Sequence, residues 1–194
     1  MKKILLSMVA LLATVAASAQ VYVGGEVGFW RNTDDNHTTF TIAPQVGYNL
    51  SDKWAIGTEI GYNHDYSKGW STNGFEIAPY ARYTVAKAGP VSFILDGGFG
   101  FSTYKAKYNK DTKLGDVDYE SDSFNAWEVG ITPGVKVSLA KNVDFIASLG
   151  FLGYRDNDDA DKDNAVVSSH SFGEHGFGFH FNSNDLKFGV IYNF

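Results

Sequence analysis

Histidine and serine side chains near the C-terminus are the residues whose types could support metal binding or catalysis. His170, His175 and His180 follow one another at intervals of five. In a strand, residues an odd number apart face opposite sides, so consecutive members of this series cannot converge on one metal ion. A barrel lipase or acyltransferase needs a Ser or Asp beside a His, and Ser168 and Ser169 directly precede His170. Adjacency in sequence is not triad geometry, so we predict no catalytic, metal or cofactor site.

An acidic run from Asp156 to Asp163 superficially resembles a calcium-binding loop. It lacks the central Gly of such a loop, and counting from Asp159 puts His170 at the twelfth position, where a Glu is needed. We interpret the run as a solvated loop. The five histidines of the chain are His37, His64, His170, His175 and His180. All but His180 fall in segments that we predict to be loops.

Charged residues also recur at alternate positions within segments that are otherwise apolar. They are Glu26, Glu59, Glu76, Arg82, Asp96, Glu128, Lys136, Asp144 and Lys187. If these side chains share the inside of a closed sheet, an unpaired charge among them is very costly. We therefore predict a structural network in which three bases pair with five acids. The bases are Arg82, Lys136 and Lys187, and the acids are Glu26, Glu59, Glu76, Glu128 and Asp96. Surplus acids should be protonated or lie near water, and a proton or ion path is the functional alternative.

These charges alternate with apolar residues in eight segments with a period of two, which is the period of β-strands. The segments cover residues 21–29, 40–50, 54–62, 75–85, 91–101, 127–139, 143–151 and 186–194. None of the positions in their apolar sets is charged. Residues 20–194 hold no run of 18 consecutive apolar residues and no long 3.6-residue period, so we predict an all-β fold.

The apolar face of each strand either packs a soluble core or contacts lipid. Aromatic residues lie on that face near strand ends, as Tyr48, Trp54, Tyr83 and Tyr192 do, which is typical of a membrane–water interface. The opposite face is rich in Gly, which leaves room for long charged side chains inside a narrow cylinder. We therefore predict an eight-stranded antiparallel transmembrane up-and-down β-barrel. A secreted sandwich or lipocalin-like barrel is the alternative fold, and ten strands is the alternative count.

Short and long connections alternate along the chain. Residues 51–53, 87–90 and 140–142 form tight turns, whereas residues 31–38, 63–73, 103–123 and 155–174 form longer polar segments. An outer-membrane barrel has short turns on the periplasmic side, where both termini then lie. Pro44, Pro79 and Pro133 are the main difficulty, because Pro removes a ladder donor. We expect a bulge or locally broken pairing at each of them, either of which can shift the inside/outside phase by one residue.

The N-terminal residues 1–19 are predicted to be a cleaved secretory signal peptide, which leaves residues 20–194 as the barrel domain. Lys2 and Lys3 precede an uncharged apolar run from Ile4 to Ala17, and Ala17-Ser18-Ala19 has the small-x-small form of a cleavage site. The apolar run is shorter than the roughly 20 residues of a spanning helix. A net charge of −6 argues against nucleic acid as a partner, and the absence of Cys excludes disulfides and thiolate metal sites.

With these features the chain resembles the small outer-membrane β-barrel proteins of Gram-negative bacteria, of the OmpX and OmpA kind. The most specific part is the last strand, from Leu186 to Phe194. Its alternating residues Phe188, Val190, Tyr192 and terminal Phe194 look like the signal that the barrel assembly machinery reads. The resemblance implies an integral outer-membrane protein with periplasmic termini that contacts lipid and lipopolysaccharide. It implies no cofactor, and the family is functionally mixed.

Three functions compete at this point. The first is a non-enzymatic barrel with a structural or surface-interaction role, whose loops contact an extracellular protein or glycan. Aromatic residues in the predicted loops, namely Tyr66, Trp70, Tyr104, Tyr108 and Tyr119, would serve such contacts, or would extend the strands above the membrane. The second is a narrow porin-like channel or a small-molecule transport barrel with a lateral opening. The third is a lipid-modifying enzyme.

Overall fold

The computed structural model describes residues 20–33, 36–67, 70–112, 115–120, 123–157, 175–181 and 186–194. The predicted signal peptide, the Ser168–His170 segment and most of the acidic run after Asp156 lie outside the described residues. Within the described part, no helix is both long enough and apolar enough to cross a membrane.

The described residues form eleven strands. They are β1 (Val21–Asn32), β2 (His37–Asn49), β3 (Trp54–Ser67), β4 (Trp70–Ala88), β5 (Val91–Thr112), β6 (Gly115–Glu120), β7 (Phe124–Ala140), β8 (Val143–Ser148), β9 (Phe151–Asn157), β10 (Gly176–His180) and β11 (Lys187–Asn193). Strands dominate because alternating apolar and polar residues suit a sheet with two different faces.

Eight of these strands close into a ring. In order they are β1, β2, β3, β4, β5, β7, β8 and β11, and β11 pairs again with β1. Every pairing is antiparallel. Strand β9 continues the line of β8 along β7, while β6 and β10 are two extra strands that pair with β5 and β9. The predicted eight-stranded antiparallel barrel is therefore confirmed, and closure removes the edges that an open sheet would expose.

Side chains that point outward are apolar and exposed, whereas the buried ones point into the ring. Ile94 and Ile146 are 2% and 0% exposed, and Phe93 and Phe101, on the other face of β5, are 49% and 44% exposed. The outward face of the other strands holds further exposed residues, among them Val27, Ile42, Trp54, Ile56, Phe75, Val129, Phe188 and Val190. Closure of the ring explains this inverted distribution, because the polar face has only the inside of the cylinder to occupy.

The two ends of the barrel differ. At the turn end, residues 50–53, 89–90 and 141–142 connect neighbouring strands, and both described termini lie there. The backbone amide of Asn49 donates to the carbonyl of Gln20 (2.7 Å), and that of Phe194 donates to Val21 (3.0 Å). We call the opposite end the loop end.

The predicted loops are wrong over much of their length, because strands continue into them at the loop end. Strand β2 begins at His37 and β3 reaches Ser67, so His37 and His64 lie on strands. Strand β5 reaches Thr112. Polar side chains support these extensions, since Asp65 accepts hydrogen bonds from His37 (2.7 Å) and Thr39 (3.2 Å) across the sheet. Hydrophobic alternation does not reveal a strand that has left the apolar layer.

One predicted outward residue faces inward. The seventh predicted segment continues to Phe151, but the strand is interrupted at Leu149 and Gly150. Gly150 has a φ of +79°, a conformation that L side chains rarely adopt. The register on β7 changes by one residue across this break, which turns Phe151 into the barrel and Leu152 outward.

The three prolines interrupt pairing as expected, but two of them cause no phase slip. The pairing between β2 and β3 skips Ala43 and Pro44, and that between β4 and β5 skips Ala78 and Pro79, with the register unchanged on either side. The pairing of β7 with β8 and β9 skips Pro133 at the break between those two strands. There the carbonyl of Pro133 accepts a hydrogen bond from the backbone amide of Leu149 (3.1 Å). The one extra residue at this break lies between β8 and β9 and not on β7.

Candidate functional site

The inside of the barrel holds the candidate site, in which the charged residue Arg82 is buried, at 5% exposure. The guanidinium donates to both oxygens of Asp96, from Nε at 2.8 Å and from Nη2 at 2.7 Å. These two residues are direct cross-strand partners on β4 and β5, so the sheet register itself presents the fork of the guanidinium to the carboxylate. Two parallel charge-assisted hydrogen bonds hold both groups in one orientation.

Two tyrosines extend this pair across the cylinder. The hydroxyls of Tyr22 on β1 and Tyr80 on β4 are 2.8 Å apart, and Tyr80 donates to Gln45 Oε1 on β2 at 2.5 Å. The guanidinium of Arg82 lies 5.0 Å from the Tyr80 ring centroid and 6.0 Å from that of Tyr22. We call Tyr22, Gln45, Tyr80, Arg82 and Asp96 the plug.

Glycines on the neighbouring strands provide the space for the plug. A Cβ at Gly57 would lie 2.7 Å from both the Cζ and the hydroxyl of Tyr80, and a Cβ at Gly47 would overlap the ring of Tyr22. Both tyrosine rings therefore lie directly over the backbone of a neighbouring strand, because Gly47 is the cross-strand partner of Tyr22 and Gly57 that of Tyr80. This close approach requires Gly at the two positions, since a real Cβ essentially never lies so near another atom.

Apolar side chains fill the rest of this layer. Ala55, Ile94, Ile146 and Ile191 form one buried cluster with Tyr22, and Tyr80 packs against it. Ring hydroxyls, guanidinium and methyl groups together occupy the lumen in the half near the turn end. An eight-stranded cylinder is just wide enough for its own side chains to fill.

A second layer of charges lies on the loop-end side of the plug. Lys187 Nζ is 3.5 Å from Glu59 Oε1, and both residues line one small cavity with Glu26, Glu76 and Glu128. Glu26 accepts a hydrogen bond from Ser148 at 2.7 Å. We call Glu26, Glu59, Glu76, Glu128 and Lys187 the acid layer.

Two pairings in this interior differ from those predicted. Lys136 Nζ lies 3.5 Å from Asp144 Oδ2 near the turn end. Asp144 is not one of the five acids predicted as partners of Lys136. Glu128 accepts a hydrogen bond from Arg155 at 2.8 Å, a residue that the sequence places at the start of a loop. Arg155 faces inward because the interruption at Gly150 shifts the phase of β9. By contrast, Arg82 with Asp96 and Lys187 with Glu59 are pairs that the sequence analysis anticipates.

Above the acid layer a cavity of about 190 Å3 opens toward the loop end. Glu76, Glu128, Arg155 and Lys187 line its inner part, and Asp65 lies nearer the opening. Two aromatic residues also lie in this half of the barrel. Tyr104 is 6% exposed and stacks on Phe124 with ring centroids 5.5 Å apart. The interpretation of Tyr104 as an exposed loop aromatic is therefore wrong.

Three of the described histidines each contact a carboxylate or amide side chain. His37 contacts Asp65, His64 contacts Asn73 Oδ1 at 2.9 Å, and exposed His175 contacts Asp156 at 2.8 Å. Among the residues that the structure describes, no group of three or more His, Asp or Glu side chains is placed to hold a metal ion.

Strands β5 and β6 form a hairpin beyond the barrel ring. Lys107 and Glu120 are cross-strand partners, and Glu120 makes ion pairs with Lys105 and Lys107. The hydrogen bonds from Lys105 and Lys107 hold the pKa of the exposed Glu120 carboxyl below its ordinary value, and the bond from Lys105 has the larger effect. The hairpin thus has its own charged surface.

The residues of the predicted assembly signal all lie on the outward face of the terminal strand. The Phe188 ring stacks on Phe145 with centroids 5.9 Å apart, and Tyr192 meets Phe194 edge to face at 5.0 Å. Val190 is exposed between them. The terminal strand seals the ring, because it pairs with β8 on one side and β1 on the other.

A closed ring of antiparallel strands, apolar outside and charged inside, defines an integral membrane β-barrel. The family model described as outer membrane protein beta-barrel domain matches residues 4–194. The chain belongs to this family, and it is therefore a protein of the outer membrane. No match is found among curated protein sequences.

Solved outer-membrane barrels are similar in fold at low sequence identity. Neisserial surface protein A is 17% identical, with 91% of this chain and 98% of that chain covered and a TM-score of 0.46. The N-terminal β-barrel domain of OprF from Pseudomonas aeruginosa is 14% identical, with the same coverages and a TM-score of 0.40. The translocator domain of the autotransporter NalP from Neisseria meningitidis is 13% identical, with coverages of 97% and 95% and a TM-score of 0.38.

Proposed function

We propose that this protein is a non-conducting, non-enzymatic outer-membrane barrel that anchors an extracellular surface used for interaction. The plug is the observation that carries the proposal. It joins β1, β2, β4 and β5 across the lumen by hydrogen bonds of 2.5 to 2.8 Å. A solute would have to displace the two tyrosine rings, which the Arg82–Asp96 pair holds in place, in order to pass. Loss of one partner of such a buried pair is strongly unfavourable.

The orientation of the barrel follows from its two ends. Short turns and both described termini lie at one end, which in bacterial outer-membrane barrels is the periplasmic end. The loop end is then extracellular. The barrel assembly machinery would receive the terminal strand from the periplasm, and the exposed aromatic belt would contact lipid and lipopolysaccharide.

The surface that we assign to interaction is built from the strand extensions at the loop end. The β5–β6 hairpin extends past β7, which begins at Phe124 and pairs with Tyr104 of β5. Tyr66 is exposed at the end of β3. Exposed aromatic residues among paired charges suit contact with a protein or a glycan, and the structural role of the interior is to hold these strands rigid.

Single-channel recording in planar lipid bilayers tests the proposal. Purified protein should give no discrete conductance steps. A variant that carries Tyr22→Ala and Tyr80→Ala should give steps, because it empties the plug while keeping Arg82 with Asp96. Tyr104→Ala, which removes a lumen tyrosine outside the plug, is the matched control and should stay silent. Conductance by the unsubstituted protein would replace the proposal with the channel alternative.

The non-enzymatic part of the proposal has a separate test. Purified protein should release no acyl chains from lipopolysaccharide. Release that is lost on His175→Ala would contradict this part and would favour the lipid-modifying alternative, since His175 with Asp156 supplies two of the groups that such catalysis needs.

A further inference from the structure

Above the closed eight-stranded ring, the wall that the described strands form is incomplete at one place near the loop end. Strands β1 and β11 pair from Tyr22 with Asn193 up to Val27 with Phe188. Above that point, Gly28–Arg31 pair with β2, and no described pairing joins them to β10. Residues Gly176–Phe179 of β10 pair with β9 and with no other described strand. A cleft between β1 and β10 therefore interrupts the sheet among the described strands.

Two cavities adjoin this cleft. The cavity of about 190 Å3 in the upper lumen reaches Gly28 and Trp30 of β1. The second cavity, of about 250 Å3, runs along Gly176–His180. Phe151 and Arg155 line both cavities, so the two spaces adjoin at β9. The two cavities thus meet at these two residues of β9, beside the cleft.

The outer lips of the cleft are the most exposed aromatic residues that the structure describes. Phe177, Phe179 and Phe181 are 77%, 81% and 68% exposed, and Phe29 on the opposite lip is 69% exposed. Phe179 is the cross-strand partner of Leu152, which belongs to the lipid-facing surface of the barrel. Because the lips continue that surface, hydrocarbon is the material that covers them.

The inner side of the cleft has the opposite chemistry. Backbone N–H and C=O groups along a sheet edge cannot be left to hydrocarbon alone, so an occupant of the cleft needs polar atoms as well as a chain. Asp65, Glu76, Glu128 and Asp156 line the adjoining lumen cavity, against two cations, Arg155 and Lys187. The excess of carboxylates favours a positive headgroup and disfavours an anionic one.

We propose that the cleft between β1 and β10 is a binding site for a single-chain amphiphile with a cationic headgroup. Its hydrocarbon chain lies against Phe29, Phe177 and Phe179 from the membrane side. Its headgroup enters the upper lumen toward Glu76 and Glu128. The site is independent of the plug, so it is present whether or not the barrel conducts.

The proposal is tested with dodecyltrimethylammonium and dodecanoate whose chains carry bromine, a quencher of tryptophan fluorescence. The protein is reconstituted in phosphatidylcholine vesicles with Trp54, Trp70 and Trp127 replaced by Phe, so that Trp30 beside the cleft is the reporter. Quenching by the cationic probe should saturate, and dodecanoate should need at least about a tenfold higher concentration. Dodecanoate that quenches at equal or lower concentration would overturn the assignment of the headgroup.

A substitution that fills the cleft provides the specific control. A Cβ at Gly178 of β10 meets no atom within 4 Å, so Gly178→Trp fills the space without a clash. In the protein that keeps only Trp30, the substitution is Gly178→Phe, because a second tryptophan would confuse the fluorescence signal. Gly97 on the lipid face of β5 has similarly open space, with its nearest contact at 4.0 Å, so Gly97→Phe is the matched control. Saturable quenching should be lost in Gly178→Phe and kept in Gly97→Phe.

Equal quenching in the reporter protein and both variants would mean that the probe only partitions into the bilayer, and would overturn the proposal. A second measurement needs no tryptophan replacement. In detergent micelles, the amide NMR signals of Gly28 and Gly176 should shift on addition of dodecyltrimethylammonium in the wild-type protein and stay unchanged in Gly178→Trp. Unshifted signals in the wild type would also overturn it.

Discussion

At the scale of single residues, the Arg82–Asp96 pair shows how a charged group is kept inside a narrow barrel. Both side chains are largely withdrawn from water, at 6% and 17% exposure, and desolvation of two charges costs several kcal/mol per ion. Two hydrogen bonds of good geometry and the faces of two tyrosine rings compensate that cost. The pair therefore fixes the orientation of the plug more than it adds to stability.

Removal of one member of this pair should be much more harmful than removal of both. We expect Arg82→Met to lower the free energy of unfolding by about 3 to 5 kcal/mol, because it leaves Asp96 without its partner. The double variant with Asp96→Leu should recover much of that loss. The measurement is urea unfolding in lipid vesicles. Arg31→Met is the control, since Arg31 is exposed and contacts Thr38 and Asn36, and an equal loss there would contradict the account.

A side chain at Gly47 should displace the plug without changing any charge. We expect Gly47→Val to lower the free energy of unfolding by about 1 to 3 kcal/mol, because its Cβ overlaps the Tyr22 ring. Gly97→Val, on the lipid face, should stay within about 0.5 kcal/mol. Equal unfolding midpoints for the two variants would show that the Tyr22 ring does not lie over Gly47 of the neighbouring strand.

At the scale of the elements, the terminal strand completes the ring. Residues Lys187–Asn193 pair with both β8 and β1, so the barrel cannot close until this last strand is placed. Its outward aromatic residues also form the surface that we propose the assembly machinery recognises. Closure and recognition thus depend on the same strand.

Loss of the terminal aromatic residue should slow assembly more than it weakens the folded barrel. We expect Phe194→Ala to reduce the amount of folded protein in cells several-fold, as measured from the heat-modifiable band on gels. Phe181→Ala, which removes an exposed aromatic residue outside this strand, is the control and should assemble normally. Comparable loss in both variants would remove the special role of Phe194.

The β5–β6 hairpin should respond to pH through Glu120. Its carboxyl has a lowered pKa in the folded protein, so the contribution of its ion pairs is fully present above the ordinary pKa of Glu. That contribution is lost as the pH falls through the lowered value. NMR titration should give a midpoint below that of a model glutamate. In the double variant Lys105→Met, Lys107→Met, the titration midpoint of Glu120 should return to that of the model glutamate. An unchanged midpoint would contradict the ion pairs of Glu120 with the two lysines.

The strands inside the apolar layer could be predicted because alternation there has one physical cause. In β3 and β5 every second residue faces lipid, so Ile56 and Phe93 identify the phase by themselves. The charged pair of Arg82 with Asp96 was predictable for the same reason, since burial demands a partner. The sequence also contained enough information for the turns.

The pairing of Arg155 with Glu128 could not be predicted from alternation. It depends on Gly150, and nothing distinguishes this Gly from the many others until its positive φ is known. The loop-end extensions were missed because polar residues such as Asp65 and Thr39 stabilise strands by hydrogen bonds, which leave no hydrophobic period. In hindsight, Leu152 and Tyr154 carry a short outward alternation that continues past the break.

At the scale of the whole molecule, the fold reverses the usual distribution of residue types. Apolar side chains form the outer surface from Trp54 near one end to Trp127 near the other, and charged side chains lie within. The proposed plug and the proposed extracellular surface both depend on this reversal. If the polar face were outside, the acid layer would simply be solvated.

Site-directed spin labelling in lipid bilayers tests the reversal most directly, and the absence of Cys from the chain makes single-cysteine labelling clean. Labels on β5 at Phe93, Leu95, Phe99 and Phe101 should collide readily with oxygen dissolved in the lipid. Labels at the intervening Ser92 and Ile94 should be shielded from oxygen. The account predicts this period of two along β5 with its maxima at the odd positions. Maxima at the even positions, or high accessibility of the odd positions to a water-soluble nickel complex, would contradict it.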